Sequence, residues 1–260
     1  MLRPLSLAFA LLATAAHAGP RYVAMGSSYA AGPGIGPYQE GAPARCARST
    51  RNYASQLAAK RGLGLVDASC SGATTAAVLQ PWRELPAQID AVTPDTALVT
   101  VTIGGNDIGL VGGLYGASCR KLGEANCGPE TTPTEADYAA LKAAMTDIVA
   151  TIHARAPKAR IVLVEYPTIL PAQGVCAATP MTDADADAAR IKASRLLTIT
   201  REAAKAGGAT VIAASEITQA HDACAAEPWM NGYPAPGAAP YHPTLASMTA
   251  LAEALDKVLP

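Results

Sequence analysis

Two serines, Ser27 and Ser28, follow Gly26 in the segment VAMGSSYAAG, residues 23–32. A serine just past the carboxyl end of an apolar strand can present its hydroxyl at the mouth of a sheet, with a backbone N–H close by to bind an oxyanion. On its own the doublet reads equally well as a helix cap. A second segment, CSGATT at 70–75, again follows an apolar run. Its Gly72 precedes a helix start, where unpaired N–H groups favour negative charge. Alone it is a turn glycine. The third, VTVTIGGNDIG at 99–109, drives a β-branched strand into Gly104-Gly105-Asn106-Asp107. Two glycines allow a sharp turn that presents the Asn106 amide as a donor to a developing negative oxygen.

A serine nucleophile needs a base, and the chain has four histidines. His17 lies in the N-terminal leader described below. His153 sits inside a helical pattern between Ile152 and Ala154, as a surface or packing residue does. His221, three residues before Cys224, reads as structural. His242, in APYHPT at 239–244, stands on a loop before the last helix, with Pro243 fixing the turn. It is the base by elimination.

The elements that must hold these residues alternate along the chain. Short apolar runs at 22–25, 63–66, 97–103, 160–165 and 209–213 read as buried strands. Helical patterns at 52–61, 75–79, 134–156, 183–206 and 243–258 separate or follow them. That order implies an α/β fold: a mainly parallel sheet of five strands with helices on both faces. No composition break or internal repeat divides residues 19–260. Two Gly/Pro-rich loops, 32–43 and 228–240, flank the candidate serine and histidine, as loops at the carboxyl ends of parallel strands do.

Composition sets the class. Half the residues are apolar and 16% are charged, which suits a compact domain. The net charge is −1 with no basic stripe, which argues against a nucleic-acid partner. Arg3, an apolar stretch from Leu5 to Ala16 and the small residues Ala16 and Ala18 form a secretory signal peptide with cleavage after Ala18. The expected mature chain begins at Gly19 and is secreted, extracellular or periplasmic, without stable membrane insertion. Six cysteines then remain, Cys46, Cys70, Cys119, Cys127, Cys176 and Cys224. An even number in an oxidising compartment suggests three disulfides, and spacing leaves their pairing open. No close Cys or His pairs suggest a metal site, so neither metal nor cofactor is expected.

The four segments, in this order and spacing, resemble the SGNH hydrolases, also called GDSL-like esterases and lipases. The likeness spans most of the mature chain, with Gly-Gly-Asn-Asp and the late His-Pro as its most specific parts. It is nearest to the secreted, three-disulfide actinobacterial-type lipases and esterases. The resemblance implies a three-layer α/β/α sandwich of the flavodoxin-like kind and a serine esterase or lipase acting as a monomer on a small-molecule or lipid ester. It implies Ser28 as nucleophile, His242 as base, and an oxyanion hole from the Ser28 N–H, the Gly72 N–H and the Asn106 side chain. It also implies the disulfides Cys46–Cys70, Cys119–Cys127 and Cys176–Cys224.

Two departures matter. The family's first block usually reads Gly-Asp-Ser, whereas here Ser27 stands in the middle and competes as nucleophile. Many members carry Asp three residues before the histidine, and here that residue is Ala239. The Nδ1 proton of His242 therefore needs another acceptor, for which the Ala239 or Pro240 carbonyl is the choice and Asp222 or Asp107 the rival. The mature chain holds no Phe, so an acyl pocket would be lined by Leu, Ile, Val, Ala and Tyr, suiting short to medium acyl chains. Trp229 either shapes that pocket or packs elsewhere. The rival functions are a carbohydrate acetylesterase on the same scaffold and a secreted binding protein that has lost catalysis.

Overall fold

The computed structural model describes residues 19–260. The signal peptide expected at 1–18 lies outside the described residues. In chain order the elements are β1 (Arg21–Gly26), α1 (Ser28–Ala31), α2 (Tyr53–Arg61), β2 (Gly64–Asp67), α3 (Thr75–Leu79), β3 (Thr96–Thr102), α4 (Leu110–Lys121), α5 (Glu135–Arg155), β4 (Arg160–Val164), α6 (Asp183–Gly207), β5 (Thr210–Ile212), α7 (Ala214–Ile217) and α8 (Leu245–Val258). The five strands form one parallel sheet in the order β2-β1-β3-β4-β5.

Alternation along each strand sorts side chains to two faces. On one face Val23, Met25, Val99, Val101, Ile161 and Leu163 join buried residues of α3, α4, α5 and α6. On the other, Tyr22, Ala24, Leu98, Val162 and Val164 pack with Leu57 of α2 and Leu251 and Leu255 of α8. Helices cover both faces, so the sheet is the middle of three layers. Each fully buried leucine of this kind contributes about 1.5–3 kcal/mol.

Local signals set the helix ends. The Asn52 side chain accepts from the Ser55 N–H at the start of α2, and Thr134 with Asp137 forms a reciprocal capping box on α5. Gly62 and Gly208 close α2 and α6 in the left-handed conformation. Besides the single-turn α1 and α7, one longer helix is absent from the sequence expectation. α4 contains Gly112, Gly113 and Gly116, residues that disfavour helix by about 1 kcal/mol each. It forms because Leu110, Val111 and Leu114 bury against the core, and tertiary burial outweighs the local preference.

The sheet order reverses at β1. From there the chain adds β2 on one side and β3 on the other, so connections diverge and leave a crevice at the strands' carboxyl ends. The segments bearing Ser28, Gly72 and Asn106 all leave the sheet at that edge.

Candidate active site

β1 ends in a tightly clamped turn. Gly26 has φ +139°, and a Cβ there would meet the Thr102 carbonyl oxygen at 2.2 Å. The Gln88 side-chain amide accepts from the Gly26 N–H at 2.7 Å and donates to the Gly26 carbonyl at 3.0 Å. Ser27 is fully buried, and its hydroxyl is bonded to the Tyr166 phenol at 2.8 Å. Ser28 opens the short helix α1 and retains 6% exposure. Ser28 lines the cavity described below, and Ser27 does not.

The Ser28 Oγ lies 2.8 Å from Nε2 of His242, and Nδ1 of the same ring lies 2.8 Å from the Pro240 carbonyl oxygen. A carbonyl can only accept, so in the neutral ring Nδ1 carries the proton. Nε2 is then a free acceptor aimed at the Ser28 hydroxyl. Burial pulls the His242 pKa below its ordinary value, and the bond to the Pro240 carbonyl opposes that shift. Neither rival acid is hydrogen-bonded to the ring: the ring's partners are Ser28 and Pro240, while Asp107 accepts from Thr75 and Asp222 from the Cys224 N–H.

The segment before His242 is held from several sides. Tyr241 is a non-glycine residue at φ +56°, a conformation that costs about 1–3 kcal/mol and persists only under external restraint. Its phenol is hydrogen-bonded to the Ser118 hydroxyl of α4, and its carbonyl accepts from the Tyr29 phenol. The Tyr29 ring lies 5.1 Å from the imidazole. Asn231 adds its backbone N–H and side-chain amide to the His242 carbonyl, at 2.9 and 3.1 Å.

The two glycines of the third segment have separate reasons. Gly104 has φ +106°, and a Cβ there would lie 2.7 Å from Leu196 Cδ1. A Cβ on Gly105 would come within 2.6 Å of the Tyr166 ring. Both allow the loop to lie flat against its neighbours, which leaves Asn106 facing the cavity. The Asn106 amide donates one hydrogen to the Ala73 carbonyl at 2.8 Å, which fixes its plane and leaves the second hydrogen available. Asp107 accepts from both the N–H and hydroxyl of Thr75, at 3.0 and 2.5 Å, tying this loop to the Gly72 segment. Among the described residues, the Ser28 and Gly72 N–H groups make no hydrogen bond.

Ser28, Gly72, Asn106 and His242 thus line one open cavity of about 350 Å³, whose wall is completed by Pro33, Ala47, Val111, Tyr115 and Ala239. Tyr115 comes from α4, which the sequence reading lacked. Trp229 does not line this cavity; it stacks flat on His221, ring centroids 3.7 Å apart. His153 bonds the Gly207 carbonyl between two helices. A larger cavity, about 460 Å³, opens between α4, α6 and α7 and contains none of the four residues. No histidine lines it. Among the described residues no group of three or more His, Cys, Asp or Glu side chains is arranged to hold a metal ion, and no helix is long and apolar enough to cross a membrane.

The cysteines pair as Cys46–Cys70, Cys119–Cys127 and Cys176–Cys224. The first sits at the cavity rim, where the Ser71 N–H and hydroxyl both donate to the Cys46 carbonyl beside Gly72.

A model of the GDSL-like lipase/acylhydrolase family matches residues 24–250. Lipase 2 of Streptomyces coelicolor is 32% identical across 98% of this chain and 93% of its own length. Among solved structures, an extracellular lipase of Streptomyces rimosus superposes with a TM-score of 0.75 at 28% identity, covering 93% of this chain and 100% of that one. Phospholipase A1 of Streptomyces albidoflavus NA297 also gives 0.75, at 26% identity over 93% and 100% of the two chains.

Proposed function

The chain belongs to the GDSL-like lipase/acylhydrolase family and is a carboxylic ester hydrolase; on that premise we propose that Ser28 and His242 carry its chemistry as a dyad without a carboxylate. The observation that supports this most is the line Ser28 Oγ, His242 Nε2, His242 Nδ1, Pro240 carbonyl, with both hydrogen bonds at 2.8 Å. As the Ser28 oxygen bonds to the ester carbonyl carbon, its proton passes to Nε2. The Pro240 carbonyl holds the resulting imidazolium through Nδ1–H. Negative charge on the former carbonyl oxygen meets the Ser28 and Gly72 N–H groups and the free Asn106 hydrogen. The intermediate then breaks its bond to the leaving oxygen, which takes the proton from Nε2. Water repeats the sequence on the acyl-enzyme, releasing the acid and restoring Ser28.

Short- to medium-chain or lipid esters are the proposed substrates. The apolar wall of Pro33, Ala47, Val111, Tyr115 and Ala239 and the modest cavity volume support that range. Residues 19–260 are proposed to form one catalytic domain, exported through the leader at 1–18 and cleaved after Ala18. Three disulfides and a relative described as extracellular support export.

The test is hydrolysis of p-nitrophenyl esters from acetate to palmitate by the purified mature chain, beside Ser28→Ala and His242→Ala. Both variants are expected to lose turnover on every ester. Activity surviving in Ser28→Ala would move the nucleophile elsewhere, and no hydrolysis by the parent chain would favour a binding role. A profile confined to acetate would instead point to an acetylesterase.

A further inference from the structure

Ser27 and Gly105 belong to different segments, yet both end on the same oxygen. The Tyr166 phenol lies 2.8 Å from Ser27 Oγ and accepts from the Gly105 N–H at 3.2 Å. Ser27 is the residue before the nucleophile, and Gly105 the residue before Asn106. We propose that Tyr166 is a positioning residue, whose phenol oxygen sets the distance between the nucleophile turn and the Asn106 loop. The inference rests on the assignment of Ser28 and Asn106 made above.

Three further observations carry it. Tyr166 is itself rigidly held: it follows β4, and the preceding Glu165, wholly buried, pairs with Arg201 at 2.5 Å and accepts from Ser215 at 2.7 Å. The Gly105 backbone lies directly on the Tyr166 ring, so close that no side chain fits between them. The Tyr166 ring also packs against Tyr29, centroids 4.2 Å apart, and Tyr29 donates to the Tyr241 carbonyl beside His242. One side chain thus contacts the supports of nucleophile, base and oxyanion donor while touching no reacting atom. Burial pushes its pKa well up, so the phenol stays protonated wherever the enzyme works.

Tyr166→Phe deletes one oxygen and keeps the ring. In a folded variant kcat is expected to fall about 10- to 100-fold, the scale on which small misplacement of reacting groups acts. KM should stay within twofold and the acidic limb of the pH–rate profile unmoved, because His242 keeps its surroundings. Ser27→Ala should lower kcat less, since the Gly105 bond remains. The double variant should be no slower than Tyr166→Phe alone, as expected of residues acting through one contact. A purely structural phenol would lower the melting temperature and leave the kcat of the folded protein intact, and that result overturns the inference. Should Tyr166→Phe fail to fold, Ser27→Ala decides, and an unchanged kcat there overturns it too. Ser28→Ala separates the two levels of the argument. Activity retained in Ser28→Ala removes the assignment on which the inference rests, and the inference with it. Activity lost in Ser28→Ala but kept at full kcat in Tyr166→Phe removes the positioning role alone.

Discussion

The Pro240 carbonyl and Nδ1 of His242, two residues apart in the chain, lie 2.8 Å from each other and hold the imidazole in the tautomer that accepts from Ser28. On the proposed assignment, a backbone group performs the orienting task of a triad carboxylate. It carries no net charge, so it stabilises the imidazolium less than a carboxylate would, and the pH dependence should record the difference.

Burial disfavours the charged ring, so the His242 pKa falls below 6.5. The base is neutral above that lowered value and becomes protonated as pH drops through it. The acidic limb of kcat/KM should therefore lie below pH 6.5. Ala239→Asp, adding a carboxylate near the ring, should move the limb upward. A parent limb at or above 6.5 would count against the neutral backbone acceptor.

Asn106→Ala removes a donor whose plane the Ala73 carbonyl fixes. The expected loss is about 10²–10³ in kcat, the usual effect of deleting one oxyanion donor. The melting temperature should change little, because the side chain makes that single bond at the cavity edge. Steady-state kinetics beside a thermal melt checks both parts, and a normal kcat removes Asn106 from the mechanism.

Asp107 ties the Asn106 loop to α3 through Thr75. Asp107→Ala should lower stability by about 1.5–3 kcal/mol, the range for hydrogen bonds to a charged group. It should also lower kcat, since Gly72 and Asn106 lose their common tether. Asp107→Asn keeps an acceptor oxygen and should recover most of the stability. Urea unfolding of the three proteins is the measurement; equal midpoints for parent and Ala variant would refute the tether.

The Cys46–Cys70 bridge spans a sequence separation of 24 at the rim beside Gly72. Replacing both cysteines by serine should lower stability by about 2–4 kcal/mol. Denaturant unfolding with and without reductant checks it: the parent should lose stability on reduction by more than the double variant does. An unchanged midpoint in the double variant would show that the bridge constrains nothing.

The sheet and its helices were legible because periodicity reports burial directly: strands 22–25 and 160–165 and helices 75–79 and 183–206 fall within two residues of the observed elements. Helix α4 was not, because Gly112, Gly113 and Gly116 mask a pattern that only tertiary packing stabilises. Its absence hid Tyr115 from the pocket and Ser118 from the support of Tyr241. Sequence also singled out Ser28, Gly72, Asn106 and His242, and the fold gathers all four around one cavity. Tyr29, Tyr166 and Gln88 escaped notice, since a lone Tyr or Gln in an apolar stretch looks like ordinary core. Their roles depend on a polar tip meeting a partner 62 to 212 residues away, which no local pattern encodes. The choice of Pro240 over Ala239 was likewise open until the left-handed Tyr241 turned one carbonyl toward the ring.

Ser28 and His242 are separated by 214 positions, and that separation sets an order of events. On the proposed assignment, a chain made N-terminus first has its nucleophile early and its base only with the segment that leads into α8. Until α8 docks, the serine faces the crevice without a proton acceptor. On that assignment, the chain gains a competent Ser28–His242 pair only after its two ends have met. In a refolding experiment, helical signal should return first, and turnover should wait for the two ends of the chain to meet.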